Sequence, residues 1–163
     1  MRRSRLKLIH YDLRIGDGNI AVTGGTRNLV SGFSATGTAG SLVLNGGNLN
    51  NSSGGLITLP AAISVDLGNV ASTMTAANDI QIDGGFSWSA GTLAGAGQLV
   101  TTGTSDLNFA GIVAYTGNWV NDGIINFNSG SLQIQNTATL INNGTFNALG
   151  GTDIQSNGGS GID

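Results

Sequence analysis

The chain has 163 residues, 28 of them Gly, and only 9% are charged, against about 25% in a typical domain. All six Lys and Arg lie within the first 27 positions, opposite nine Asp and no Glu, for a net charge of −3. The body therefore cannot assemble the basic face that displaces counterions from phosphates, which excludes nucleic-acid binding; the absence of Cys excludes disulfides, thiol catalysis and Cys-ligated zinc.

Residues 6–15 (LKLIHYDLRI) alternate apolar and polar, a strand pattern that Gly16-Asp17-Gly18-Asn19 ends. Ile20-Ala21-Val22 is a second short strand, closed by Gly24-Gly25. These basic first 27 residues are atypical strands, and their charges are those of a solvated tail. His10 and Asp12 interrupt the one apolar stretch near the start, so it is not a secretory signal. Residues 28–83 read as irregular coils. Ser41-Leu42-Val43-Leu44 and Leu56-Ile57-Thr58-Leu59 are strand-like and flank NLNNSSGG (48–55), expected to be a wide loop between coils. Pro60, the one proline, belongs at a strand end or corner because it cannot donate to a ladder. Residues 61–80 carry enough Ala for a short helix, but Val, Thr, Ser and Gly68 favour strand and turn.

The clearest repeats occupy 84–157. Phe86 and Trp88 alternate with Ser87 and Ser89, as inward and outward positions of one strand do. Asn121-Asp122-Gly123-Ile124-Ile125-Asn126 and Asn142-Asn143-Gly144-Thr145-Phe146-Asn147 are near copies that begin 21 residues apart (142 − 121). A fixed period near 20 marks a solenoid in which each repeat covers the hydrophobic face of the last. The whole chain, 1–163, reads as one all-β piece, a parallel β-helix of about 20–25 residues per coil and roughly seven coils. Inward Leu, Ile, Val and Phe stack on their equivalents one coil away, and Gly and Asn supply the corners. Asn at one corner of successive coils can bond along the axis, and charges are scarce because in-register stacking would set like beside like.

The phrase Phe86-x-Trp88-x-x-Gly91-Thr92-Leu93-x-Gly95-x-Gly97, followed by Asn121-x-Gly123, Leu132 and Asn142-Asn143-Gly144-Thr145-Phe146, resembles the β-strand repeats of very large bacterial surface proteins. It is similar to autotransporter passengers and filamentous-haemagglutinin-like adhesins over about residues 84–157, and to them in composition alone over 16–60. The resemblance implies an extracellular or cell-surface β-solenoid used as a stalk, adhesin or matrix component. Its partners would be surface glycans or host and matrix molecules. Its export signal is not in this chain, and both ends read as cut from something longer. Uncapped coils would also self-associate through unpaired edges. No run of about 18 apolar residues occurs, so no helix is expected to span a membrane.

Catalysis is hard to assemble. His10 is the single histidine. Asp79 and Asp83, four apart on a strand, stand about 13 Å from each other, beyond the roughly 5–9.5 Å of a glycosidase pair. No enzyme is expected. Two other chemistries compete with the passive rod. In a polysaccharide-binding or processing β-helix, exposed and aligned Trp88 and Trp119 would stack on sugars; buried, they fill the core. In a Ca²⁺-dependent β-roll, Gly158-Gly159-Ser160-Gly161-Ile162-Asp163 matches the repeat G-G-x-G-x-D. Asp79, Asp83, Asp122 and Asp163 are then the candidate Ca²⁺ ligands, where six or more oxygens are needed. The plainer reading gives those Asp to turn geometry. No other cofactor is expected. Asn51-Ser52-Ser53 and Asn143-Gly144-Thr145 match the glycosylation acceptor.

Overall fold

A computed structural model describes residues 14–15, 17–30, 33–35, 37–157 and 161–162. The expected strand over 6–13 and His10 lie outside these residues. Among them the chain is all-β and without helix, a parallel β-solenoid with three faces.

Face A stacks β2 (Gly18–Val22), β5 (Gly40–Leu44), β8 (Ile63–Leu67), β11 (Phe86–Trp88), the first part of β14 (Thr104–Tyr115), the first part of β16 (Ile124–Gln135) and β18 (Thr145–Ala148). Face B stacks β3 (Thr26–Leu29), β6 (Asn48–Asn51), β9 (Thr73–Thr75), β12 (Thr92–Ala94), the second parts of β14 and β16, and β19 (Asp153–Asn157). Face C stacks β7 (Ile57–Leu59), β10 (Ile80–Ile82), β13 (Gln98–Thr101), β15 (Asn118–Asn121), β17 (Thr139–Asn142) and β20 (Gly161–Ile162). Before it in the chain, β1 (Arg14–Ile15) pairs with β4 (Ser34–Ala35).

On face A the ladder Ile20–Leu42–Val65–Phe86–Ser105–Ile125–Phe146 advances by 22, 23, 21, 19, 20 and 21 residues. Six steps make about six turns where length suggested seven. Residues 61–80 form β8, a turn and β9, as the low helix propensity there requires. Pro60 directly follows β7, and its carbonyl accepts from Ile63 N–H at 2.8 Å. The polar stretch 48–55 differs from the expected loop, since its first half is β6. Leu49 and Asn51 point inward there, and apolar–polar alternation outweighs overall polarity. Buried Asn51 donates to the carbonyls of Gly55 and Asp79 and accepts from the backbone and hydroxyl of Ser53, so the turn that follows is tied to the core.

The interior is one continuous cluster from Val22 to Leu140. Its widest part is aromatic. Trp88 touches Phe109 at 5.2 Å between ring centroids, Trp119 at 6.2 Å, and Phe86 and Tyr115 at 6.3 Å. The Phe109 and Tyr115 pairs are edge-to-face and the Phe86 pair is stacked, arrangements that add to plain burial. Tyr115 donates its hydroxyl to the Thr139 carbonyl at 2.9 Å, and burial pushes its ionisation far above the usual tyrosine range. The unfolded chain ionises near pH 10 and the fold does not, so stability present below that pH is lost above it. The expected loss is about 1.4 kcal/mol per pH unit from about pH 10 upward. Alkaline urea titrations should show that slope, and Tyr115→Phe should flatten it; an equal slope in the variant would rule out this origin.

Candidate functional site: a neutral corner notch

Trp88 and Trp119 are both fully buried. Trp119 Nε1 donates inward to Thr101 Oγ1 at 2.9 Å. The exposed-Trp reading is therefore corrected: neither ring offers a face to a sugar, because each stands at an inward register position among apolar neighbours. Phe86, Phe109, Tyr115 and Phe127 are buried with them.

The candidate Ca²⁺ ligands are not brought together. Asp79 and Asp83 stand at opposite ends of β10. Asp79 accepts from the Gln98 backbone at 2.9 Å, and Asp83 accepts from Gln81 Nε2 and Thr102 Oγ1, both at 2.7 Å. Asp122 accepts from Asn143 Nδ2 at 2.9 Å. Among the described residues no three His, Cys, Asp or Glu gather where a metal could sit. Each of these three carboxylates accepts a hydrogen bond from a neighbouring amide or hydroxyl. Asp163 lies outside the described residues, and so does most of the 158–163 match.

The corner between faces C and A explains the repeated Asn-x-Gly. Thr101, Asn121 and Asn142 follow one another up the ladder. Thr101 Oγ1 donates to Asn121 Oδ1 at 3.2 Å, and Asn121 Nδ2 donates to Asn142 Oδ1 at 2.6 Å. This is the expected axial ladder, here inside the wall. The adjoining glycines are not in the left-handed region that sequence alone suggests for corners; Asn136 is the one described non-Gly residue with positive φ, at 59°. They are demanded by close approach. A Cβ on Gly103, Gly123 or Gly144 would lie 2.2, 2.1 or 2.0 Å from the carbonyl oxygen of Gly84, Gly103 or Gly123, one coil back. The acceptor Asn51 is closed to modification by its burial and four bonds, whereas Asn143 is exposed at this corner.

The outward rows differ by face. Face A carries Asp66, Ser87, Asp106, Asn126 and Asn147 in register, with Asn126 donating to Asp106 and Asn147 to Asn126, each at 3.0 Å. Face C carries an apolar row, Val100–Val120–Ile141, bordered at its corners by Asp79, Asp83 and Asp122. Face B is neutral across its five central coils. There Leu49, Met74, Leu93, Tyr115 and Ile134 point in, and each is flanked by outward Asn, Thr, Ala or Gln. At the last coil Asp153 accepts from Gln155 Nε2 at 2.6 Å.

Where faces A and B meet, the corners have unequal lengths. Residues 68–72 separate Leu67 from Thr73, and 108–113 separate Leu107 from Ala114, but only 89–91 separate Trp88 from Thr92. The register shifts in β14 between Leu107 and Ile112 accommodate the longest of these. The short corner is thus sunk between two projecting ones, two rungs or about 9.6 Å apart. Gly91 makes that tight turn possible, with φ +83° and the Asn69 and Ser72 carbonyls 2.7 Å from where a Cβ would stand. The result is a notch of about 320 Å³ with Ala90, Gly91 and Thr92 among its lining. Val70 and Ile112 are its projecting walls, 86% and 64% exposed. No lining residue is charged. Sequence reasoning missed this feature, although aligning the inward residues first would have shown corners of 5, 3 and 6 residues.

The fold and this surface define a three-faced parallel β-solenoid with a neutral side. No protein-family model, no curated protein and no solved structure matches the chain.

Proposed function

We propose that the chain is a structural or adhesive segment of an exported bacterial surface repeat protein, working as a passive rod at the cell surface or in the medium. The observation that carries this reading is the unbroken interior ladder, six turns of in-register strands around one continuous apolar core. Such stacks are quasi-one-dimensional: they lengthen by repetition and present the same faces many times. The outward Asn126–Asp106, Asn147–Asn126 and Asn143–Asp122 pairs, hydrogen-bonded along the axis, suit a surface that stays hydrated without strong charge. Asp66 and Asp106 stand in one outward row of face A and line no part of the notch, an arrangement that favours binding and support as the role.

The test is the size and cell fraction of the native protein. An antibody against residues 84–157 should detect a band far above 16.4 kDa in the surface or medium fraction. A band at 16.4 kDa in the cytosol would sink the proposal.

A further inference from the structure

The geometry points to the notch between Val70 and Ile112, with the threonine hydroxyls beside it on face B, as a binding site for a neutral, hydroxyl-rich polysaccharide chain. This rests on the adhesive reading above and specifies its ligand. The notch volume falls at the lower end of small-molecule sites, about 300–1,000 Å³, and it opens onto face B at Thr92 and Ala114, which belong to both.

Its lining chooses among partners. A protein interface concentrates Trp, Tyr and Arg anchors; here Trp88, Trp119 and Tyr115 are all buried. Nucleic acid and acidic polysaccharide both require cations, and the sequence has none after Arg27. An anionic membrane surface requires a basic amphipathic face, which is equally missing from these coils. A neutral sugar matches what is present. Its C–H faces pack on the methyls of Val70, Ala90 and Ile112. Its hydroxyls meet those of Thr73 and Thr92, paired in register on β9 and β12, of Thr75 at the end of β9, and of Thr116, the residue after β14.

Those four hydroxyls make no hydrogen bond to another group among the described residues, so engaging a ligand breaks no internal bond. The upper face A ladder is different, because Asp106, Asn126 and Asn147 are already committed to each other. Repetition adds to the case. Rows at the strand spacing let one polymer meet several coils at once, and many weak contacts on one chain bind together far more tightly than each alone.

The experiment is retention of the purified 163-residue chain on cellulose, chitin and mannan, with immobilised alginate and heparin as acidic comparators. Retention is expected on at least one neutral polymer and on neither acidic one. Thr92→Lys and Val70→Asp should each lower it by about tenfold or more, as a charge desolvated without a partner does. Thr104→Lys, at an exposed face A position, should bind like the parent. All three variants should keep the parent melting temperature. No retention on any neutral polymer, equal retention by all three variants, or preference for alginate or heparin overturns the assignment. A surface-located native protein that still adheres with Thr92→Lys overturns this site alone, whereas a cytosolic 16.4-kDa band overturns the adhesive reading.

Discussion

Gly123→Ala is expected to destabilise the fold by about 3 kcal/mol, the upper part of the range for forcing atoms into a close-packed site. The cause is not lost conformational freedom. A Cβ at this position would meet the Gly103 carbonyl oxygen at 2.1 Å and the Thr102 oxygen at 2.5 Å, and both are backbone atoms that no rotamer change can move. Relief requires the coils to separate at this corner. That would strain the bonds from Asp122 and Gly123 N–H to the Thr101 carbonyl, at 2.8 and 3.1 Å, and the Thr101–Asn121–Asn142 side-chain ladder beside them. Thermal unfolding should fall by about 6–12 °C for a chain of this size. Gly111→Ala is the matched comparison, since a Cβ there meets nothing within 4 Å; it should change stability by no more than about 0.5 kcal/mol. Equal melting of the two variants would mean that the corner glycines are not there to admit the neighbouring coil.

Trp88→Ala should cost about 3–5 kcal/mol, the range for deleting a large aromatic from a packed core. Trp88 is fully buried and touches four other rings, so its removal leaves a cavity whose walls belong to three different coils. Trp88→Phe should cost less than half as much. It keeps part of the ring packing and removes the indole N–H, a buried donor with no partner among the described residues. Urea unfolding followed through Trp119 fluorescence reads both variants. A Trp88→Ala midpoint near that of the parent would show that the ring is not enclosed, and would reopen sugar stacking at this position.

How much of this could be read from the chain depended on what each residue type can report. The phrase Asn121–Asn126 and its copy at Asn142–Asn147 are aligned in the structure one coil apart, as their 21-residue separation predicts. Residues 40–67 looked irregular because their outward positions vary. Their inward Leu42, Leu44, Leu49, Ile57 and Leu59 hold a ladder as strict as that of 84–157. The Trp residues illustrate the opposite case. Alternation placed Trp88 on one side of its strand, but which side faces the core depends on how three faces close. The Asp residues were similarly ambiguous, since a carboxylate beside a turn suits a cation and a neighbouring amide equally well until the next coil is in place.

By itself, the sequence determined the fold class and the coil length, and with no Cys it offers no thiol for chemistry, because periodicity and composition act residue by residue along the chain. The tertiary structure alone decided that the tryptophans are core and that Asp79, Asp83 and Asp122 do not gather. It also decided that the Asn-x-Gly glycines exist to admit the carbonyl of the preceding coil, and that a neutral notch opens where a three-residue corner lies between longer ones. Each of these is set by a contact or an offset between coils about twenty residues apart, and such an offset exists only once the coils are stacked in register.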